Sequence, residues 1–197
     1  MHNYSITNTK IRITAISLLA IGAAYVAFLL NPLISKLPIS LQHLSPFAVF
    51  GAFFFIFDKL AWKLCSLNKL LGVPNFNGTW KGNGHSTSQK TRNGKFEVII
   101  KVKQTFTQLI VDAKFNSSCS ESFVANVDCV NPLRAKLVYS YLNKPDGNAV
   151  KTQNEHFGTV ELFCTKKNEL SGNYFTNREP QTKGKLELKK VKDNDVC

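Results

Sequence analysis

Arg178, His156, Tyr141 and Tyr174 are the side chains here best suited to hold a flat, negatively charged ligand. Tyr139, Ser86, Thr176 and Thr182 recur on the same faces of the segments that carry them. A guanidinium grips phosphate through two parallel N–H bonds, aromatic faces stack on bases, and hydroxyls read polar edges. None of these residues stands at a catalytic spacing. His156 has no nucleophile at a motif distance, and Gly82-Asn83-Gly84 is not followed by a helix that could receive a phosphate. Cys65, Cys119, Cys129, Cys164 and Cys197 form no CxxC pair, and no histidine cluster accompanies them, so no zinc signature exists. The expected chemistry is binding, with no enzyme activity, cofactor or metal.

The elements that must position these groups are strands. From Gly78 onward the apolar residues alternate with period two. Eight runs result: Gly78–Ser88, Lys95–Phe106, Gln108–Asn116, Glu121–Cys129, Leu133–Asn143, Glu155–Thr165, Glu169–Asn177 and Thr182–Val191. Arg92-Asn93-Gly94, Asn131-Pro132, Lys144-Pro145-Asp146-Gly147-Asn148 and Arg178-Glu179-Pro180 supply turns between them. Short connections favour an antiparallel up-and-down order, and eight short strands suit a small closed barrel that leaves no edge exposed. An open sheet or a sandwich is the alternative.

Alternation places Phe96, Val98, Ile100, Val102, Leu109, Val111, Ala113, Phe115, Ala135, Leu137, Tyr139, Tyr141, His156, Gly158, Val160, Leu162, Leu170, Gly172, Tyr174, Thr176, Arg178, Thr182, Gly184, Leu186 and Leu188 inside. In a meander, one end then collects Gly84, Ser86, Phe96, Asn116, Ser120, Ser122, Tyr141, His156, Thr176, Arg178 and Thr182. The other end collects Trp80, Gln104, Leu109, Cys129, Leu162 and Leu188. One end is polar and the other mostly apolar. A buried arginine needs a partner, and no acid shares its face, so an anionic ligand fits. A one-residue slip at Glu179-Pro180 would instead turn Arg178 into solvent.

Residues 1–72 read as a two-helix transmembrane anchor, and residues 73–197 as a soluble β-barrel sensing domain. Ile13–Leu30 carries no charge, and Ser45–Phe57 continues apolar through Leu64. Helices at about 11–31 and 45–67 follow, since about 20 apolar residues span a bilayer. Lys10 and Arg12 before the first, and Lys59, Lys63 and Lys69 at the end of the second, outweigh Lys36 between them. That places both termini in the cytoplasm. A cleaved signal peptide with a single anchor behind it is the alternative. Asp58-Lys59 marks the end of the second helix or a polar contact between helices. Gly22, Ala23, Ala24 and Gly51 are small enough for helices to approach closely.

The chain carries 25 Lys and Arg against 13 Asp and Glu, net +12. Both parts are basic: six against one in the anchor, 19 against 12 in the barrel. Anionic headgroups, nucleic acid, a small anionic ligand or a plain solvated surface would each suit that charge.

The run Pro74-Asn75-Phe76-Asn77-Gly78-Thr79-Trp80-Lys81-Gly82 behind two apolar helices is joined by Tyr139-Ser140-Tyr141, His156-Phe157-Gly158-Thr159, Leu170-Ser171-Gly172-Asn173-Tyr174-Phe175-Thr176-Asn177-Arg178 and Thr182-Lys183-Gly184. Together these resemble the CBASS anti-phage membrane effectors with two N-terminal transmembrane helices and a minimal β-barrel. The resemblance covers essentially the whole chain. It implies a bacterial inner-membrane protein whose barrel binds a cyclic dinucleotide made by a partner nucleotidyltransferase. It further implies homo-oligomerisation on activation, membrane disruption and cell death, with no DNA or RNA polymer as partner. Two other functions fit the residues: a membrane-tethered lipocalin-like carrier of a lipid or small hydrophobic ligand, and an envelope assembly protein with no ligand. The carrier requires a large apolar cavity, whereas Phe96, Ile100, Phe115, Leu137 and Tyr139 would fill a small barrel.

Overall fold

The computed structural model of the chain describes residues 1–7, 9–34, 46–64, 67, 71–87, 94–115, 118–129, 135–145 and 154–191. Asn116, Lys36, Cys65, Cys197 and the turn residues Arg92-Asn93, Asn131-Pro132 and Asp146-Gly147-Asn148 lie outside them. The chain forms two compact units, Met1–Thr7 with Val73–Cys197, and Asn8–Gly72.

In chain order the elements are β1 (His2–Asn3), β2 (Ser5–Ile6), α1 (Thr9–Ile34), α2 (Pro46–Lys59), β3 (Gly78–Ser86), β4 (Lys95–Gln104), β5 (Gln108–Phe115), β6 (Ser118–Asp128), β7 (Lys136–Pro145), β8 (His156–Lys166), β9 (Glu169–Thr176) and β10 (Lys183–Val191). Strands β3 to β10 form a closed antiparallel meander, because β10 pairs with β3 and each strand pairs with the next. The expected eight-stranded up-and-down barrel is present.

Alternation explains it. Val98, Ile100 and Val102 of β4, Leu137 and Tyr139 of β7, Val160 and Leu162 of β8, and Leu186 and Leu188 of β10 are all buried. Glu97, Lys101 and Lys103 on β4 and Lys185 and Glu187 on β10 alternate with them and are exposed. Glycines let rings lie against the neighbouring strand. A side chain at Gly158 would strike the Tyr141 ring, one at Gly84 the Phe96 ring, and one at Gly184 the Tyr174 ring.

One end of the barrel is sealed. Gln104 receives the Phe76 N–H at 2.9 Å and donates to Tyr4 Oη at 3.2 Å and to the Pro74 carbonyl at 3.1 Å. Asn77 brackets the Gln104 backbone from both sides. Around this hub Tyr4, Ile6, Val73, Phe76, Trp80 and Phe106 are buried. Met1–Thr7 was grouped with the anchor by sequence, yet it contributes Tyr4 and Ile6 to the barrel. Its two strands of two residues each are too short a pattern for periodicity to expose.

In the second unit α1 is longer than expected and α2 shorter. Lys10–Pro32, 23 residues, is the one span among the described residues long and apolar enough to cross a membrane. The helix expected over 45–67 stops at Lys59, and a 3-10 turn covers Ala61–Lys63. Fourteen residues extend about 21 Å against a hydrocarbon core of about 30 Å. Leu60 leaves helical geometry at φ −128° directly after the Asp58–Lys59 pair, whose charged groups lie 3.4 Å apart. Ala23 and Ala27 pack against Val49 where the two helices meet. Gly22 and Gly51 have nothing within 4 Å of where a side chain would be.

Candidate ligand-binding site

The polar residues meet at the unsealed end. Cross-strand register sets Ser120 beside Asn143 and Asn143 beside His156. The next row sets Ser122 beside Tyr141, Tyr141 beside Gly158 and Gly158 beside Thr176. Tyr174 lies across Gly184 from Ser86. Six strands therefore contribute to one polar rim.

Arg178 follows β9 and is half-buried. Its Nε–H donates to His156 Nδ1 at 3.1 Å. The Asn154 carbonyl lies 3.2 Å from the same nitrogen and would need a proton there. A guanidinium offers only donors, so the arginine contact makes Nδ1 an acceptor and leaves the proton on Nε2. Burial, and then the charge of Arg178, push the His156 pKa down and outweigh the upward pull of the Asn154 carbonyl. His156 is thus neutral at pH 7. Among the described residues Arg178 forms no ion pair, and its terminal NH2 groups have no hydrogen-bond partner. The guanidinium is held by one nitrogen and open at two.

Tyr141 and Tyr174 face the same charge. Burial raises both hydroxyl pKa values, and Arg178 pulls both back. Both rings are neutral phenols able to donate. Tyr174 is oriented by a hydrogen bond to Ser86 and by an edge-on contact with Phe96 at 5.9 Å. Tyr139 lies one layer deeper, its ring 6.2 Å from that of Tyr141, and supports the rim from beneath. Thr176 and Thr182 bond to each other: their hydroxyls are 2.6 Å apart, and the Thr176 N–H donates to the Thr182 carbonyl at 2.9 Å. They clasp the β9–β10 connection that aims Arg178.

Asn143 is the residue the sequence reading passed over. It is 3% exposed, its Nδ2 donates to Ser118 Oγ at 3.1 Å, and its Oδ1 is buried with no partner. A buried, unsatisfied carbonyl costs about 1–3 kcal/mol. The alternation Leu137, Tyr139, Tyr141 continues onto Asn143, so extending the inward set by one step would have found it.

Two grooves accompany the rim. One of about 270 Å³ runs outside β6–β9 and meets the rim at Gly158 and Thr176. One of about 900 Å³ crosses the outer face from Ile99 to Phe157 and reaches Ser120 and Ser122. Neither is lined by Arg178, Tyr141 or Tyr174.

Sealed at one end by the Gln104 hub and rimmed by polar side chains at the other, the fold is by class a small closed antiparallel β-barrel. Residues 71–190 match the family described as Cap15, cyclic dinucleotide receptor domain, and the chain belongs to that family. Among curated relatives, CD-NTase-associated protein 15 of Yersinia aleksiciae is 29% identical over 140 residues, covering 68% of this chain and 64% of that protein. CD-NTase-associated protein 15 of Staphylococcus schleiferi is 28% identical over 138 residues, covering 69% of this chain and 71% of that one. The chain therefore spans just under two thirds of the length of the Yersinia relative.

Proposed function

We propose that this chain is a membrane-anchored, non-enzymatic CBASS effector. Its barrel binds a cyclic dinucleotide made by a partner nucleotidyltransferase, and the bound protein self-associates and disrupts the bacterial inner membrane. The observation that carries the reading is the open side of Arg178, braced by neutral His156, in a barrel of the cyclic dinucleotide receptor family. Two terminal NH2 groups with no partner among the described residues are suited to one phosphate. Neutral Tyr141 and Tyr174 supply ring faces or hydroxyls, and the vacant Asn143 carbonyl accepts one ligand donor.

Both helices are assigned to the bilayer and both termini to the cytoplasm. The support for this is the apolar span of α1, the hydrophobic composition of α2 and the basic flanks. A tethered lipid carrier is disfavoured because the middle of the barrel is filled by Ile100, Leu137, Tyr139 and Leu162, all nearly inaccessible.

Calorimetry of the detergent-solubilised full chain with a panel of cyclic dinucleotides, in 2′–5′ and 3′–5′ linkages with purine and pyrimidine bases, tests the reading. Saturable binding by at least one, lost in Arg178→Ala, is expected. Binding that is indifferent to Arg178 would move the site to an outer groove, and binding by none would remove the receptor reading.

A further inference from the structure

The barrel wall has one weak seam. Neighbouring strands elsewhere pair over seven to ten residues, but β5 and β6 pair over four, from Asp112 opposite Glu121 to Phe115 opposite Ser118. Past that point a bulge between Ser122 and Val124 turns β6 away. Met1–Thr7 fills the gap. Its β1 pairs antiparallel with β5, His2 opposite Leu109 and Asn3 opposite Gln108. Its β2 then pairs parallel with β6, Ser5 opposite Asn126 and Ile6 opposite Val127.

We propose that this seam is an interaction surface for the Met1–Thr7 segment of a second copy of the chain, so that exchanging the segment links neighbouring barrels. The inference rests on the self-association proposed above and names the surface that carries it. Among the described residues the segment bonds to partners 100 or more residues away: Ser122 for His2, Thr105 and Gln104 for Tyr4, Asn126 for Thr7. Another copy's segment would make the same two short ladders and bury the same Tyr4 and Ile6, so exchange sacrifices no contact.

A single residue, Asn8, separates the segment from α1. Copies confined to one bilayer present their segments to each other at high effective concentration. The seam also communicates with the polar rim. Ser122 Oγ lies 2.9 Å from His2 Nε2, receives the Val111 N–H at 2.8 Å, and Ser122 pairs with Tyr141 across β6–β7. A ligand that shifts Tyr141 acts on the hydroxyl to which the segment is tied. Phe123 and Val124, at the bulge beside the seam, are half-exposed apolar residues of the kind that mark a contact with another molecule.

The test uses the full chain with its native cysteines changed to serine. Two tagged copies, one carrying Asn3→Cys and the other Gln108→Cys, are co-expressed in membranes and oxidised with and without the cyclic dinucleotide panel. Ser5→Cys with Asn126→Cys repeats the measurement at the parallel ladder, so a folding failure in one pair does not remove the test. Exchange predicts hetero-cross-links that increase about tenfold when a panel member binds. It also predicts that the double variant, oxidised within one copy, still binds but no longer assembles. Ligand-driven assembly without hetero-cross-links in either pair would overturn the exchange and leave the receptor reading standing. Hetero-cross-links in crowded membranes with no panel member bound would do the reverse. Neither binding nor cross-linking would overturn both.

Discussion

Arg178 is held by Nε alone, which separates its role in the fold from its role at the site. Arg178→Ala should leave thermal stability nearly unchanged while abolishing binding of the cyclic dinucleotide in calorimetry. Arg178→Lys should restore only part of the affinity, because an ammonium cannot form two parallel bonds. Asn143 gives the converse signature. Its unsatisfied carbonyl offsets the hydrogen bond to Ser118, so Asn143→Ala should melt close to the parent yet bind about 1–3 kcal/mol more weakly. For His156 the folded pKa lies below its ordinary value of 6.5, so the unfolded chain takes up the proton first as pH falls. Its contribution is complete above about 6.5 and declines as the solution is acidified through the interval below that value. Melting curves at neutral and mildly acidic pH should show a smaller acid decline in His156→Gln.

At the scale of elements, the sealed end depends on a segment far away in sequence. Tyr4→Ala opens a cavity at the Gln104 hub and should destabilise the full chain by about 3–5 kcal/mol, as large aromatic truncations do. Ser5→Ala, exposed on the same segment, should change little; equal losses in the two would mean that Tyr4 contributes no packing. The glycines opposite aromatic rings behave as parts of the wall. Gly158→Val places atoms where the Tyr141 ring lies and should cost about 1–3 kcal/mol by overpacking. Ligand affinity should fall with it, because Tyr141 must move.

For the whole molecule, the proposal divides labour between the two units. Gly22 and Gly51 have open space beside them within one copy, so Gly22→Leu or Gly51→Leu should leave binding by the barrel intact. If helices of several copies approach at these positions, the same variants should lose ligand-dependent assembly and toxicity together, read by cross-linking in membranes and by growth. Orientation is tested through Cys119, an exposed thiol on β6. In a chain retaining only that cysteine, an impermeant maleimide should label lysed cells and spare intact ones. Labelling of intact cells would place the barrel outside the cytoplasm, away from a nucleotide made there.

The alternation of apolar residues from Phe96 to Leu188 determined the barrel from sequence, because a period of two selects which side chains face inward and short turns force an antiparallel order. The same alternation, followed in chain direction, brings Tyr141, His156, Thr176 and Arg178 to one end. Tertiary structure decided what alternation cannot encode. The bulge at Ser122 switches β6 from even to odd inward positions, so no single register describes that strand. Asn143 became notable only when burial left its carbonyl without a partner. Which rim groups remain open was likewise a matter of proximity: Thr176 and Thr182 satisfy each other, while the terminal nitrogens of Arg178 have no partner among the described residues. The role of Met1–Thr7 was furthest from view. Its partners Gln104, Ser122 and Val127 lie a hundred or more residues away, and pairing at that separation is set by closure of the whole sheet rather than by any local pattern of side chains.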